Sequence, residues 1–198
     1  MLDIDLLRSL IWTDYRLAVV FTVLLPLVLL VWAFVQRAEA LQLLLVIYWK
    51  VSSLLAITLY LMIGGLSISF VTALMARVLI PISLWYWADI NEEIREQPSG
   101  LLKLVFSAWR WAITVYCAVG ALFQIPFLRC AFSRAALGDP TCQAWLEAPR
   151  LYKAYLHASY TPGFLAFWGI VGLVIYLLVL GYFVFFRIGR QGRSAINQ

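Results

Sequence analysis

Long apolar stretches without a charged residue are the feature that most constrains this sequence. A helix crosses the hydrocarbon core of a bilayer with about 20 apolar residues. Three of the stretches, 17–36, 111–128 and 163–186, reach or approach that length. The chain is also 64% hydrophobic and 13% charged. Soluble domains are about half apolar and a quarter charged. The sequence therefore predicts an all-α, polytopic membrane protein that forms a single membrane domain.

The stretch 40–88 contains two charged residues, Lys50 and Arg77, and allows two interpretations. One is a hairpin of two spans that turns at Gly64-Gly65, and the other is a single span with interfacial helices on both sides. The hairpin places two cations at membrane depth, each costing about 3 kcal/mol at a helix centre. The single span leaves strongly apolar flanks in the interface, and paired glycines favour a turn. We therefore predict five spans, with four as the alternative. The five predicted spans are about 17–36, 41–63, 66–88, 108–128 and 163–186.

The tail 187–193 is short and basic, which places the C-terminus in the cytoplasm by the positive-inside rule. Five spans then put the loop 129–162 in the periplasm or a lumen, although cations are almost evenly divided between the two sides.

In this loop Cys130 and Cys142 flank a short segment and predict a disulfide, which needs an oxidising compartment. Two free cysteines are the alternative. Residues 143–159 predict an amphipathic segment that Pro149 breaks into two pieces.

The residue inventory argues against an enzyme. The single histidine excludes a haem held by two histidines of this chain, and no Cys-x-x-Cys occurs for an iron–sulfur cluster. No nucleotide-binding GxxxxGK[ST], no GxSxG and no HExxH is present. No predicted span holds two acidic residues, as proton pumps and cation transporters often do. We expect no catalytic residue, no metal site and, without a basic run outside the span flanks, no nucleic-acid partner.

Lys50 and Arg77 are the sharpest candidates for a binding role. In the hairpin they lie at similar distances from Gly64, in the cytoplasmic half, where two cations repel each other. A lipid phosphate, a carboxylate of a partner membrane protein or a transported anion would offset that charge, and separate snorkelling to the headgroups is the simpler alternative. His157 is a candidate axial ligand for a chlorophyll magnesium, although hydrogen bonding at the interface is its simpler role. No cofactor is predicted with certainty, and bound lipid, chlorophyll or carotenoid stay open.

Six segments are 10–19 (LIWTDYRLAV), 21–26, 31–36, 47–50 (IYWK), 89–94 (DINEEI) and 189–195 (GRQGRSA). Together they resemble an uncharacterised family of cyanobacterial integral membrane proteins, a domain of unknown function. The resemblance extends over nearly the whole chain and carries no assigned catalytic residue. It implies an organism with thylakoids, whose lumen suits a Cys130–Cys142 bridge, and it favours the thylakoid over the plasma membrane.

These observations lead to one main functional hypothesis and two alternatives. The main hypothesis is a non-catalytic subunit, or an assembly or accessory factor, of a larger photosynthetic membrane complex such as a photosystem. The first alternative is a small anion transporter or channel that uses Lys50 and Arg77. The second is a membrane protein that binds lipid or pigment.

Overall fold

The computed structural model of the protein describes residues 3–188, and in this part of the chain every regular element is a helix. Turns of other helix types join α1 to α2 (Val19–Leu24), join α6 to α7 (Ile125–Leu128) and follow α10 (Phe183–Ile188). The basic tail beyond Ile188, which the predicted orientation uses, lies outside the described residues. In chain order the α-helices are α1 (Ile4–Ala18), α2 (Leu25–Val35), α3 (Glu39–Ile63), α4 (Ile68–Trp85), α5 (Ala88–Glu96), α6 (Leu101–Gln124), α7 (Arg129–Phe132), α8 (Arg134–Leu137), α9 (Pro140–Leu156) and α10 (Pro162–Tyr182).

Five helices within residues 3–188 are long and apolar enough to cross a membrane, which confirms the five-span, all-α prediction. The hairpin interpretation of 40–88 is the correct one, because α3 ends at Ile63 and α4 begins at Ile68. Gly65 makes the turn with a φ of 66°, a conformation that glycine adopts without steric cost. The five helices are Ile4–Val35, Glu39–Ile63, Ile68–Trp85, Leu101–Phe132 and Pro162–Phe185.

The two ends of the bundle differ, and we name them by the short helices that they carry. At the α5 end, α5 buries Ile90 and Ile94 in the same apolar cluster as the start of α3. The acidic segment after α4, which lies between two predicted spans, is thus a helix in its own right. The next helix, α6, begins at Leu101 and not at 108. In its first turn the Lys103 ammonium donates to the backbone carbonyl of Arg95 in the last turn of α5 and to that of Gln97 just after it.

At the other end, which we call the α9 end, α9 crosses the bundle. Near its start Trp145 packs against Phe127 of the turn after α6, with ring centroids 5.5 Å apart and the rings inclined by 60°. Just beyond its last residue His157 contacts Tyr60 of α3. The prediction that Pro149 breaks this segment is wrong. Pro149 is buried on the same face as Trp145, and the packing of that face offsets the backbone hydrogen bond that proline lacks.

The first spanning helix extends well before its predicted start at 17. Leu7 and Ile11 are buried in one apolar cluster with Trp145 of α9, so packing against α9 stabilises helix where local hydropathy is low. This extension places Asp14 inside the helix. Sequence hydropathy alone had left that carboxylate outside the first span.

The π-helical turn in the first spanning helix is fixed by its neighbours. The carbonyl of Phe21 accepts a hydrogen bond from Trp109 Nε1 at 2.9 Å, and the carbonyl of Thr22 accepts one from Tyr48 Oη at 2.7 Å. A π-turn alters the regular ladder of backbone bonds and leaves carbonyls available to side chains. Two aromatic side chains therefore attach the first helix to α6 and α3.

The last spanning helix, α10, packs closely on α3. An added Cβ at Gly64 would lie 2.3 Å from the Cβ of Ala166, and one at Gly169 would lie 3.1 Å from the backbone nitrogen of Leu61. Small residues at such contacts let helices approach each other in lipid. Much of the remaining α10 surface, including Leu178 and Val179, is exposed apolar surface suited to lipid contact.

Candidate functional site

A buried ion pair joins the first helix to α4. The Arg77 guanidinium donates through Nη2 to Asp14 Oδ2, and the two side chains are only 10% and 14% exposed. The sequence left a lipid phosphate, a partner's carboxylate, a transported anion or snorkelling open for Arg77, and the structure instead provides a carboxylate of the same chain. Asp14 belongs to α1 and lies before the predicted start of the first span.

Tyr116 of α6 completes the coordination of this carboxylate. Its hydroxyl donates to Asp14 Oδ1 at 2.9 Å, and its ring centroid lies 5.7 Å from Cζ of Arg77. Both carboxylate oxygens of Asp14 therefore have partners, which offsets part of the cost of burying the charges. The three side chains bring together α1, α4 and α6.

Gly120 of α6 provides the space for the guanidinium. A Cβ built at this position would lie 1.5 Å from Arg77 Nη1, so a side chain here and the observed Arg77 conformation exclude each other. Gly120 is one turn before the end of α6, which places the guanidinium towards the α9 end. The sequence had placed Arg77 in the opposite half of the bundle. We call Asp14, Arg77, Tyr116 and Gly120 the Asp14 cluster.

Further buried polar contacts surround the Asp14 cluster on its α9 side. Tyr15 donates its hydroxyl hydrogen to the carbonyl of Trp145 at 2.9 Å, and Gln124 Nε2 donates to the carbonyl of Phe70 at 3.0 Å. Two buried atoms here, Arg77 Nη1 and Gln124 Oε1, have no hydrogen-bond partner among the described residues. The result is a polar zone between four helices, α1, α4, α6 and α9.

Lys50 is separate from this cluster. It is exposed on α3, and it forms no ion pair with any residue in 3–188. Arg77 instead points into the bundle towards Asp14. The two cations predicted at one depth therefore do not form a shared anion site.

The two cysteines of the 129–162 segment are joined by a disulfide. Cys130 and Cys142 are both fully buried, with Cα atoms 5.9 Å apart, and the bond connects α7 to α9. The start of α9 is capped by Asp139, whose Oδ1 accepts from both the backbone nitrogen (2.9 Å) and the hydroxyl (2.7 Å) of Thr141. These hydrogen bonds lower the pKa of the Asp139 carboxyl below its usual value.

His157 lies in an aromatic setting at the C-terminal end of α9. Its Nε2 is 3.1 Å from the hydroxyl oxygen of Tyr60, and the rings of Tyr152 and Tyr160 lie within 6.0 Å of its ring. A pigment magnesium bound at Nε2 would have to displace Tyr60. Within residues 3–188, no three side chains among His, Cys, Asp and Glu are grouped so that they could hold a metal ion.

Sequence reasoning missed Asp14, Tyr116, Gly120 and Gln124. One signal for Asp14 was present, since the buried positions Leu7 and Ile11 are four residues apart and already follow a helical period upstream of the predicted span. No local pattern distinguished Tyr116 or Gly120 from ordinary residues of an apolar helix.

Five membrane-spanning helices around a buried ion pair define this protein as a polytopic α-helical integral membrane protein. Residues 8–196 match the family described as "Protein of unknown function (DUF3177)", and the chain belongs to that family. The resemblance to an uncharacterised family is thereby confirmed. Comparisons with curated proteins and with solved structures find no match.

Proposed function

We propose that this protein is a non-catalytic subunit, or an assembly or accessory factor, that binds another integral membrane protein. The observation that carries the proposal is Lys50, an exposed cation in the middle of a spanning helix without an ion-pair partner among residues 3–188. The proposed partner has a carboxylate at the same depth. In a cyanobacterial thylakoid, that partner would be a component of a photosynthetic complex such as a photosystem.

The position of Lys50 gives the energetic reason for a partner. Lys50 lies about three turns after the start of α3, so its Cα is about 16 Å from that end of the helix. A cation at the centre of a membrane helix costs about 3 kcal/mol, which snorkelling reduces. A partner's carboxylate would offset that cost, whereas lipid tails would not.

The surroundings of Lys50 suit a neighbouring helix. Ser53 and Ala56 follow at intervals of three residues, and both are exposed on α3. Small side chains allow a second helix to approach closely in lipid. Lys50 would then supply the charge contact, while Ser53 and Ala56 would permit the short distance between the helix axes.

The anion-transport alternative loses support from the position of Arg77. Its guanidinium is paired with Asp14 and packed against Gly120, and it does not share a passage with Lys50. Liposomes containing the purified protein distinguish the two functions. Anion flux that disappears in both Lys50→Ala and Arg77→Ala would favour transport over the accessory role.

The main test is co-migration after gentle detergent extraction of native membranes. We expect the protein to migrate with a large complex, and we expect Lys50→Met to release it. Arg150→Met is the matched control, because Arg150 is an exposed cation on α9, outside the spans, and should leave the complex intact. Migration of the wild type only as a monomer or small homo-oligomer would refute the proposal.

Lipid and pigment are separate outcomes of the same purification. If a lipid phosphate and not a protein pairs with Lys50, Lys50→Met changes the retained lipids but not the migration. An absorption spectrum of the purified protein tests for chlorophyll or carotenoid, and loss of that absorption in His157→Leu would assign the ligand.

The proposed orientation places the C-terminus in the cytoplasm and residues 129–162 in the lumen or periplasm. The Cys130–Cys142 bridge supports it, because disulfides persist in oxidising compartments. Labelling of single accessible tags at the N-terminus and at α5 tests it, since five spans put these two points on opposite sides. Labelling of α5 from the lumenal side would overturn this orientation.

A further inference from the structure

Arg37, at the end of the first spanning helix, has an unusual backbone conformation. Its φ is 54°, and it is the one non-glycine residue with a positive φ within residues 3–188. The backbone nitrogen of Ala38 bonds to the carbonyl of Ala33 at 3.0 Å, and that of Arg37 bonds to the carbonyl of Phe34 at 3.2 Å. This is a Schellman helix end, in which the left-handed position is usually occupied by glycine or asparagine.

An arginine at a left-handed position carries a steric cost that glycine avoids. A residue held in such a conformation is a reason to look for a role for its side chain. The Arg37 side chain is exposed, and it forms no ion pair with any residue of the described chain, although Glu39 begins α3 only two residues later. Its charge is therefore available to a ligand at this end of the bundle.

A shallow apolar groove runs along α2 directly before Arg37. It is open on its outer side, because every lining residue belongs to α2, and it contains no charged side chain. The groove ends two residues before the cation, so an apolar chain that occupies it would bring an attached anionic group towards Arg37. The lining residues are Leu27, Val28, Val31, Trp32 and Val35.

We propose that Arg37 and this groove form a binding site for one anionic phospholipid. The phosphate contacts the Arg37 guanidinium, and an acyl chain lies along α2. Guanidinium groups match phosphate geometry with paired hydrogen bonds. The acyl chain gains little over the other lipid tails around α2, so the phosphate contact supplies the selectivity. The site is separate from Lys50 and does not depend on the proposed protein partner.

Helix-dipole stabilisation is the competing explanation for Arg37, because a cation near a helix C-terminus is favourable in any lipid. Arg37→Gly distinguishes the two explanations. Glycine suits the left-handed position, so this variant keeps or raises thermal stability while it removes the charge. A loss of lipid selectivity in a well-folded variant is an effect that a purely structural role would not produce.

The experiment uses the full chain in nanodiscs that contain equal amounts of a zwitterionic and an anionic phospholipid with the same acyl chains. After mild detergent extraction, the retained lipids are separated and quantified. We expect enrichment of the anionic lipid on the wild type and an about fivefold decrease in that enrichment for Arg37→Gly, the ratio expected for one cation at an anionic surface. Arg37→Lys should retain most of the enrichment.

Two further arms make the result specific. Arg95→Gln removes another exposed cation at the α5 end and should leave the enrichment unchanged, and Val31→Trp fills the groove and should reduce retention of bound lipid. Equal enrichment in the wild type and Arg37→Gly, or an equal loss in Arg95→Gln, would overturn the proposal. Complete displacement of the lipid by added inorganic phosphate would do the same, because the site would then recognise free phosphate.

Discussion

The Nη1 atom of Arg77 occupies the space that a side chain at Gly120 would fill. This relationship holds the guanidinium between α4 and α6, with Asp14 of α1 on its other nitrogen. A charged side chain is thereby buried among three spanning helices, with a carboxylate of the same chain as its counter-charge. The cluster makes the position of the first helix dependent on three residues that are far apart in the chain.

Gly120→Ala should destabilise the protein by about 1–3 kcal/mol, the usual cost of inserting a methyl group where none fits, and by more if Arg77 leaves Asp14. Thermal unfolding in a fixed detergent measures this change. Gly181→Ala in α10 is the control, because a Cβ there meets no atom within 4 Å. The prediction fails if both variants unfold at the same temperature.

Asp14→Asn should cost about 3–5 kcal/mol, because it leaves the buried Arg77 charge without a counter-charge. The double variant Asp14→Asn/Arg77→Gln should recover part of this loss, since it removes both charges. A double-mutant cycle on unfolding free energies measures the coupling. Asp5→Asn, at an exposed position near the helix start, should have little effect. Strictly additive effects of the two substitutions would argue against the ion pair.

Replacement of Cys130 and Cys142 by serine should lower stability by about 3 kcal/mol, because the bridge restricts the unfolded chain. A reductant should lower the unfolding temperature of the wild type and leave the double variant unchanged. Cys117→Ala retains the bridge and should keep the response to reductant, since Cys117 is the free, buried thiol. A wild type that does not respond to reductant even after unfolding would contradict the bridge.

The Asp139 cap should make stability depend on acid pH. Its pKa is lower in the folded than in the unfolded chain, because the ionised carboxylate accepts hydrogen bonds from Thr141. The stabilisation is therefore fully present above the pKa of an aspartate in the unfolded chain, about 3.9. It decreases as the pH falls through the lower pKa of Asp139 in the folded chain. The difference in unfolding temperature between wild type and Asp139→Ala should be constant near neutral pH and become smaller in acid.

Thr141→Val is the matched control for the pH measurement, because it removes the hydroxyl donor and keeps the carboxylate. It should reduce the pH dependence and leave the backbone hydrogen bond of the cap in place. If the difference in unfolding temperature between wild type and Asp139→Ala grows as the pH falls, its sign is opposite to the prediction and this explanation is excluded.

Sequence alone predicted the elements whose causes are local. Uncharged apolar stretches indicated the spanning helices, since transfer into lipid depends mainly on composition over about 20 residues. Gly64-Gly65 indicated the hairpin turn because glycine adopts the left-handed conformation that the turn needs. The extra length of the first helix was not predictable in this way, since Leu7 and Ile11 are stabilised by α9 and not by their own neighbours in the chain.

The amino-acid sequence by itself determined that this chain is a polytopic membrane protein, favoured five spans over four, and marked Lys50 and Arg77 as its unusual cations. Only the tertiary structure decided that these cations have different environments. The partner of Arg77 lies 63 residues away on another helix, and the space for its guanidinium comes from a glycine on a third. Such contacts depend on how helices pack, which composition and periodicity do not specify. Lys50 was left exposed by the same packing.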